Sequence, residues 1–141
     1  MKKKNTVSLF LGVCILLCSL SLTVGVRTLF HACVHDDGAF GACHWAQQAI
    51  FGAGIVLSVL SLVRLLFPGN GVKLGLDLGI IVNALLAALT PGILIHLCMM
   101  DTMVCNALMR PIVCAIAAVI AILALIDTII LGKSAKEGKS A

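Results

Sequence analysis

The stretch PIVCAIAAVIAILALIDTIILG, residues 111–132, carries a single charged side chain, Asp127, in an otherwise apolar and small-residue run. A helix rises about 1.5 Å per residue, so roughly 20 residues cross a hydrocarbon core of about 30 Å. This stretch meets that length, as do three earlier runs, 7–26, 46–67 and, roughly, 74–98. None of the four alternates apolar and polar residues in the short segments that a membrane β-barrel uses. Composition agrees, with 61% hydrophobic residues, 11% charged and a mean hydropathy of +1.16. A soluble domain of this length has too few charges to cover so much apolar surface. The expected fold is all-α, a polytopic membrane protein with four transmembrane helices in a single membrane domain over residues 1–141.

Lys2, Lys3 and Lys4 precede the first run as they would in a secretory signal. The run exceeds the about 7–15 residues of a signal h-region, and no clean small-x-small cleavage site follows it. A lipid-modified Cys14 is disfavoured by Val13, where a small residue is the rule, so the run reads as a retained span. Lys2, Lys3, Lys4, Arg64, Lys73, Lys133, Lys136 and Lys139 lie at the amino terminus, the middle connection or the tail; Arg27 and Arg110 lie on the other side. That bias predicts a multi-pass protein of the cytoplasmic (inner) membrane with both termini and the middle connection (Pro68, Gly69, Asn70, Gly71) in the cytoplasm. The net charge of +4 then describes attraction to the lipid bilayer surface, and no nucleic-acid partner is implied.

The pattern His-x-Cys-x-x-Asp occurs twice, as His31, Cys33, Asp36 and as His96, Cys98, Asp101, each copy following a long apolar run and each trailed by a further cysteine, Cys43 or Cys105. Uncommon polar types recurring at one offset in so apolar a chain predict a duplicated unit. The two hairpins would be residues 7–67 and 74–132, related as parallel repeats about the membrane normal, followed by a polar, disordered cytoplasmic tail, 133–141.

Within the spans, Ala49 and Ala53, Gly54 and Ser58, Ala84 and Ala88, and Ala117 and Ala121 are four apart, a spacing that lets helix backbones approach. Thr90-Pro91-Gly92 is expected to kink the third span, with Asn83 bonded to a neighbouring helix. Arg64, Asp77 and Asp127 are expected near the cytoplasmic interface, snorkelling and pairing as an anchoring charge cluster, with a proton relay as the other reading.

Seven cysteines divide by depth. Cys14, Cys18 and Cys114 fall in apolar runs and read as small buried residues. Cys33, Cys43, Cys98 and Cys105 fall at the outer face, where an oxidising compartment permits disulfides. Four cysteines allow three pairings; duplication favours one bridge per loop, Cys33–Cys43 and Cys98–Cys105, each closing about ten residues or fewer for roughly 2–3 kcal/mol. Cross-loop bridges stay open. Metal binding is the rival reading: His31, Cys33, His35, Cys43 and His44 in the first loop, with Asp36 and Asp37 between them, and His96, Cys98, Asp101 and Cys105 in the second, with Met99, Met100 and Met103 for soft copper, suit zinc or copper by type but not by spacing. Symmetric His31 and His96 could ligate a haem iron, although no C-x-x-C-H attachment motif is present. Interfacial histidines bonded to loop carbonyls are the simpler reading. Trp45 at the start of the second run is an interface anchor, and Arg110 marks the mouth of the fourth.

Four spans with a cysteine pair in each outer loop resemble the quinone-coupled disulfide-forming proteins of bacterial inner membranes, which would place Arg110 near a quinone headgroup. Those proteins use C-x-x-C, whereas the pairs here are C-x9-C and C-x6-C, and wide spacing favours inert bridges. Ala42-Cys43-His44-Trp45 with Gln47, Gln48 and Ala49, together with Cys105 and Arg110-Pro111, resembles a signature of a family of small bacterial four-helix membrane proteins of unknown function; Ala46 stands where that pattern has a hydroxyl residue. The resemblance covers the whole layout and transfers no catalytic residue. It implies an accessory component, working beside transporter permeases by analogy. The expectation is therefore a non-enzymatic accessory or interaction protein with disulfide-braced outer loops and no cofactor. The alternatives are a membrane thiol-disulfide oxidoreductase and a metal- or haem-binding component.

Overall fold

The computed structural model describes residues 2–29, 42–96 and 105–139. They form four helices, α1 (Lys2–Thr28), α2 (Ala42–Leu66), α3 (Asn70–Leu89) and α4 (Arg110–Lys139), with a π-helical turn, Cys105–Met109, leading into α4. Thr6–Thr28, Ala42–Leu66, Asn70–Leu89 and Ala107–Lys133 are each long and apolar enough to cross a membrane. This is the all-α, four-span architecture that the apolar runs predict. Among the described residues the only β-type pairing is an isolated bridge between Pro91 and Ile95.

Each helix packs on its chain neighbour, and α1 also packs on α4, so the four close into a ring. The buried positions form one narrow stripe per helix. On α1 it is Ser8, Gly12, Ile15, Ser19, Leu22, Gly25 and Val26; on α2 it is Cys43, Ala46, Ile50, Gly54, Leu57, Ser61 and Arg64. On α3 it is Asp77, Ile80, Ala84 and Ala87; on α4 it is Val113, Ala117, Ile120, Ala124, Asp127 and Leu131, continued by Met109 of the preceding π-helical turn. Steps of three and four keep each stripe on the seam of a bundle packed like a coiled coil. The other faces, with Phe10, Leu17, Val59, Val82, Leu85, Ile122 and Leu125 exposed, are as apolar as the inside. That is the surface a lipid environment requires.

Small residues set the helix spacing. A Cβ on Gly54 would lie 2.6 Å from Thr23 Oγ1 and 3.3 Å from Thr23 Cα, so α1 and α2 touch there backbone to backbone. Ala84 and Ala117 take inner places as the spacing predicts, whereas Ala49 faces outward and Ala46 fills the inner position. Several hydroxyl and amide donors in the spans bond to helix carbonyls. The Ser19 and Ser61 hydroxyls donate to the carbonyls of Ile15 and Leu57, both at 2.7 Å. Asn83 Nδ2 donates across to the Ala53 carbonyl at 3.0 Å, the inter-helix bond expected of it. The Cys114 thiol lies 3.5 Å from the Ala88 carbonyl.

Two boundaries differ from expectation. The third span is not kinked at Pro91; it starts earlier, at Asn70, and ends at Leu89. Pro91 brings no amide donor, and Gly92 adopts φ +103, turning the chain back on itself. The reversal lets the Leu94 and Ile95 amides donate to the carbonyls of Leu89 and Thr90, both at 3.1 Å, which caps carbonyls that a helix end leaves open. At the other extreme, α4 continues as helix to Lys139, through residues expected to be a disordered tail.

Gly54→Ala should lower the stability of the bundle by about 1–3 kcal/mol through the clash with Thr23. Gly52→Ala, with nothing within 4 Å of the added methyl, should be neutral or stabilising by up to about 1 kcal/mol. Reversible unfolding by SDS in mixed micelles would measure both; equal effects would remove the close α1–α2 contact from the account.

Candidate functional site

The inner stripes do not stay apolar along their whole length. Near the end of the bundle where α1 and α3 begin and α2 and α4 finish, the stripe positions become Ser8, Arg64, Asp77 and Asp127. Arg64 Nε donates to Asp77 Oδ1, and Nη2 pairs with Asp127 Oδ2. Nη2 also donates to Ser8 Oγ at 3.2 Å, and both terminal nitrogens lie 3.4 Å from the Ser8 carbonyl. The Ser8 hydroxyl donates in turn to Asp127 Oδ2 at 3.2 Å. One guanidinium thus bonds to groups from all three other helices.

Arginine suits this position because its planar fork serves two carboxylates at once. It also lies in the last turn of α2, where the open carbonyls favour a cation. Gly12, one turn along α1 from Ser8, leaves the guanidinium room: a Cβ there would collide with Arg64 Nη1 and lie 2.8 Å from Leu65 Cδ2. The side chains of Arg64, Asp77 and Asp127 are 1%, 0% and 0% exposed. They do not snorkel to the interface as expected; the phase of each stripe turns them inward, where they meet one another instead of headgroups. Two oxygens, Asp77 Oδ2 and Asp127 Oδ1, are buried with no hydrogen-bond partner among the described residues. The signal for this site was present in the sequence, since Arg64 follows Ser61 by three residues and Leu57 by seven on one helical face.

The opposite end gathers a second set of polar and aromatic groups. Gln47 Nε2 donates to the Val26 carbonyl at 2.7 Å, tying α2 to the last turns of α1. The Arg27 guanidinium stacks over the Phe51 ring at 4.5 Å, a cation–π contact. Cys43 is buried at the start of α2; His44 meets Trp45 edge to face at 6.0 Å between ring centroids, and Trp45 is 62% exposed. Arg110, the first residue of α4, lays its guanidinium against the 90–95 turn, so that a Cβ on Gly92 would lie 3.1 Å from its Cζ and Nε. His96 follows that turn and is exposed. Of the other loop residues singled out from the sequence, His31, Cys33, His35, Asp36, Cys98 and Asp101 lie outside the described residues, as does the side chain of Cys105.

Arg64→Met deletes the charge that both carboxylates face. Removing one partner of a buried ionic group costs about 3–5 kcal/mol, so the SDS midpoint of unfolding should fall sharply. Arg64→Lys, a point charge without the fork, should recover only part of the loss. A wild-type midpoint for Arg64→Met would show that the cluster contributes nothing to the fold.

No curated protein and no solved structure matches the chain. A family described as a domain of unknown function, DUF4418, matches residues 7–130. That range takes in most of all four helices, both ends of the bundle and every member of the Arg64 cluster. The chain belongs to the DUF4418 family, a domain of unknown function.

Proposed function

We propose that this protein is an accessory component of the bacterial cytoplasmic membrane that works by associating with other membrane proteins, not by catalysis. Both termini face the cytoplasm, and the outer loops are braced by Cys33–Cys43 and Cys98–Cys105. The observation that carries this reading is that the described residues flanking both loops, Leu29 and Ala42 for the first and His96 and Cys105 for the second, lie at one end of the bundle. The first loop leaves α1 after Thr28 and returns at Ala42, and the second leaves the 90–95 turn and returns through Cys105–Met109 into α4.

Cys43 is buried at the loop boundary, a setting that suits an inert bridge better than an attacking thiolate. A bridge in each loop would preorganise the surface offered to a partner, and preorganisation lowers the entropy cost of association. The outward helix faces, apolar along their length, suit lipid and the flanks of larger membrane proteins such as transporter permeases. The orientation rests on charge. Arg64 leaves the count because it is enclosed, and the remaining lysines still favour the end that carries both termini.

Mass spectrometry under non-reducing conditions tests the reading on the purified protein. The expected result is two bridges, one in each loop, that persist in mild thiol. A bridge that is reduced by thiol and re-formed with a quinone would replace it with a thiol-disulfide oxidoreductase. Free thiols with bound zinc, copper or a haem spectrum would replace it with a metal- or haem-binding component.

A further inference from the structure

We propose that the Arg64 cluster is a proton-binding site within the membrane domain, in which Asp77 and Asp127 share one guanidinium and hold one proton between them. The first ground is charge. Two carboxylates face one arginine in a site that is fully enclosed. With every group ionised the site would carry an uncompensated negative charge in a low-dielectric interior, where such a charge is strongly disfavoured.

The second ground is the pair of orphan oxygens. Asp77 Oδ2 and Asp127 Oδ1 are buried and meet no donor among the described residues. A bare carboxylate oxygen in that setting is costly, and a proton bound to one of them removes the excess charge.

Among the described residues no second cation pairs with either carboxylate, although the Lys73 ammonium attracts the Asp77 carboxylate from a distance. From α1 comes Ser8, whose hydroxyl and carbonyl already bond within the cluster. From α2 comes Arg64. On α3, Lys73 lies one turn before Asp77, is only half-buried and forms no ion pair with either carboxylate. On α4, the Thr128 hydroxyl donates to its own helix at the Ala124 carbonyl, 2.8 Å away. A metal cation fits less well than a proton, because a hard cation seeks about six oxygen ligands and only two carboxylate oxygens are open.

The donor count assigns the proton to Asp77. Asp127 Oδ2 receives bonds from both Arg64 and Ser8, whereas Asp77 Oδ1 receives one from Arg64 alone. Hydrogen bonds donated to a carboxylate favour its ionised form, so Asp127 is the carboxylate and Asp77 the acid. The proton reaches water through the adjoining end of the bundle, since Asp77 stands only two turns, about 10 Å, from the start of α3.

Linkage turns this into a measurement. The folded protein binds one proton that the unfolded chain, whose aspartates titrate near pH 4, has released. The unfolding equilibrium constant should therefore rise about tenfold per pH unit more steeply in the wild type than in Asp77→Asn, whose amide mimics the neutral acid. Both proteins carry the same four histidines, which cancel in the comparison. Identical slopes would overturn the proposal.

Infrared spectroscopy of the wild type alone gives a second reading that needs no variant. With carbon-13-labelled aspartate at neutral pH, the C=O stretch of a protonated carboxylic acid should be present. Its absence would show that both carboxylates are ionised and would also overturn the proposal.

Discussion

An arginine enclosed among four apolar helices has to find its counter-charges inside the protein, and the rest of the bundle is arranged around that requirement. Arg64 comes from α2, its carboxylates from α3 and α4, and its hydroxyl and carbonyl from Ser8 on α1. In lipid, apolar side chains gain little by leaving the bilayer for a helix interface, so burial alone does not choose between rotations or registers of a helix. A charge does. Turning α2 by half a turn would deliver the guanidinium to hydrocarbon, and sliding it by one turn, about 5.4 Å, would separate it from both carboxylates. The small residues then decide how close the helices come. Gly12 leaves room for the guanidinium itself, and Gly54 allows α1 to rest on α2 at Thr23.

The number and type of elements were legible because span length is a property of composition along the chain, and nothing else in the sequence competes with it. Boundaries were less so. Pro91 can either kink a helix or follow its end, and the choice depends on whether the freed carbonyls find donors. Here Leu94 and Ile95 supply them across a turn that Gly92 makes possible. The decision therefore rests on a residue beyond the helix. At the start of the same helix, Asn70 and Gly71 read as connection. They are helical because the three residues 67–69 already suffice to reverse the chain between α2 and α3.

Rotation of each helix was hidden for a different reason. A soluble amphipathic helix announces its buried face by contrast with a polar one. These helices are apolar on both faces, so the contrast is missing. Small and polar residues carry the signal in its place: Ser8, Gly12 and Ser19 on α1, Gly54, Ser61 and Arg64 on α2, Ala84 and Ala87 with Asp77 on α3, and Ala117, Ala124 and Asp127 on α4 all fall on the inner stripes. Read along those stripes, the charged residues in the spans point to one another. Read by depth alone, Arg64 and Asp77 lie close enough to a helix end to suggest snorkelling, and depth misplaces them.

The two ends of the bundle are consequently different in kind. At the Arg64 end, Arg64, Asp77 and Asp127 are turned inward and bonded to each other. At the other end the charged and aromatic groups sit around the loop bases instead of within the core. Arg27 lies over Phe51, Trp45 is exposed beside His44, and Arg110 covers the turn at Gly92. Neither arginine at that end is buried as Arg64 is. The Arg64 clamp is bonded through α1, α2, α3 and α4 together, so it holds the helices without any contribution from the groups at the opposite end.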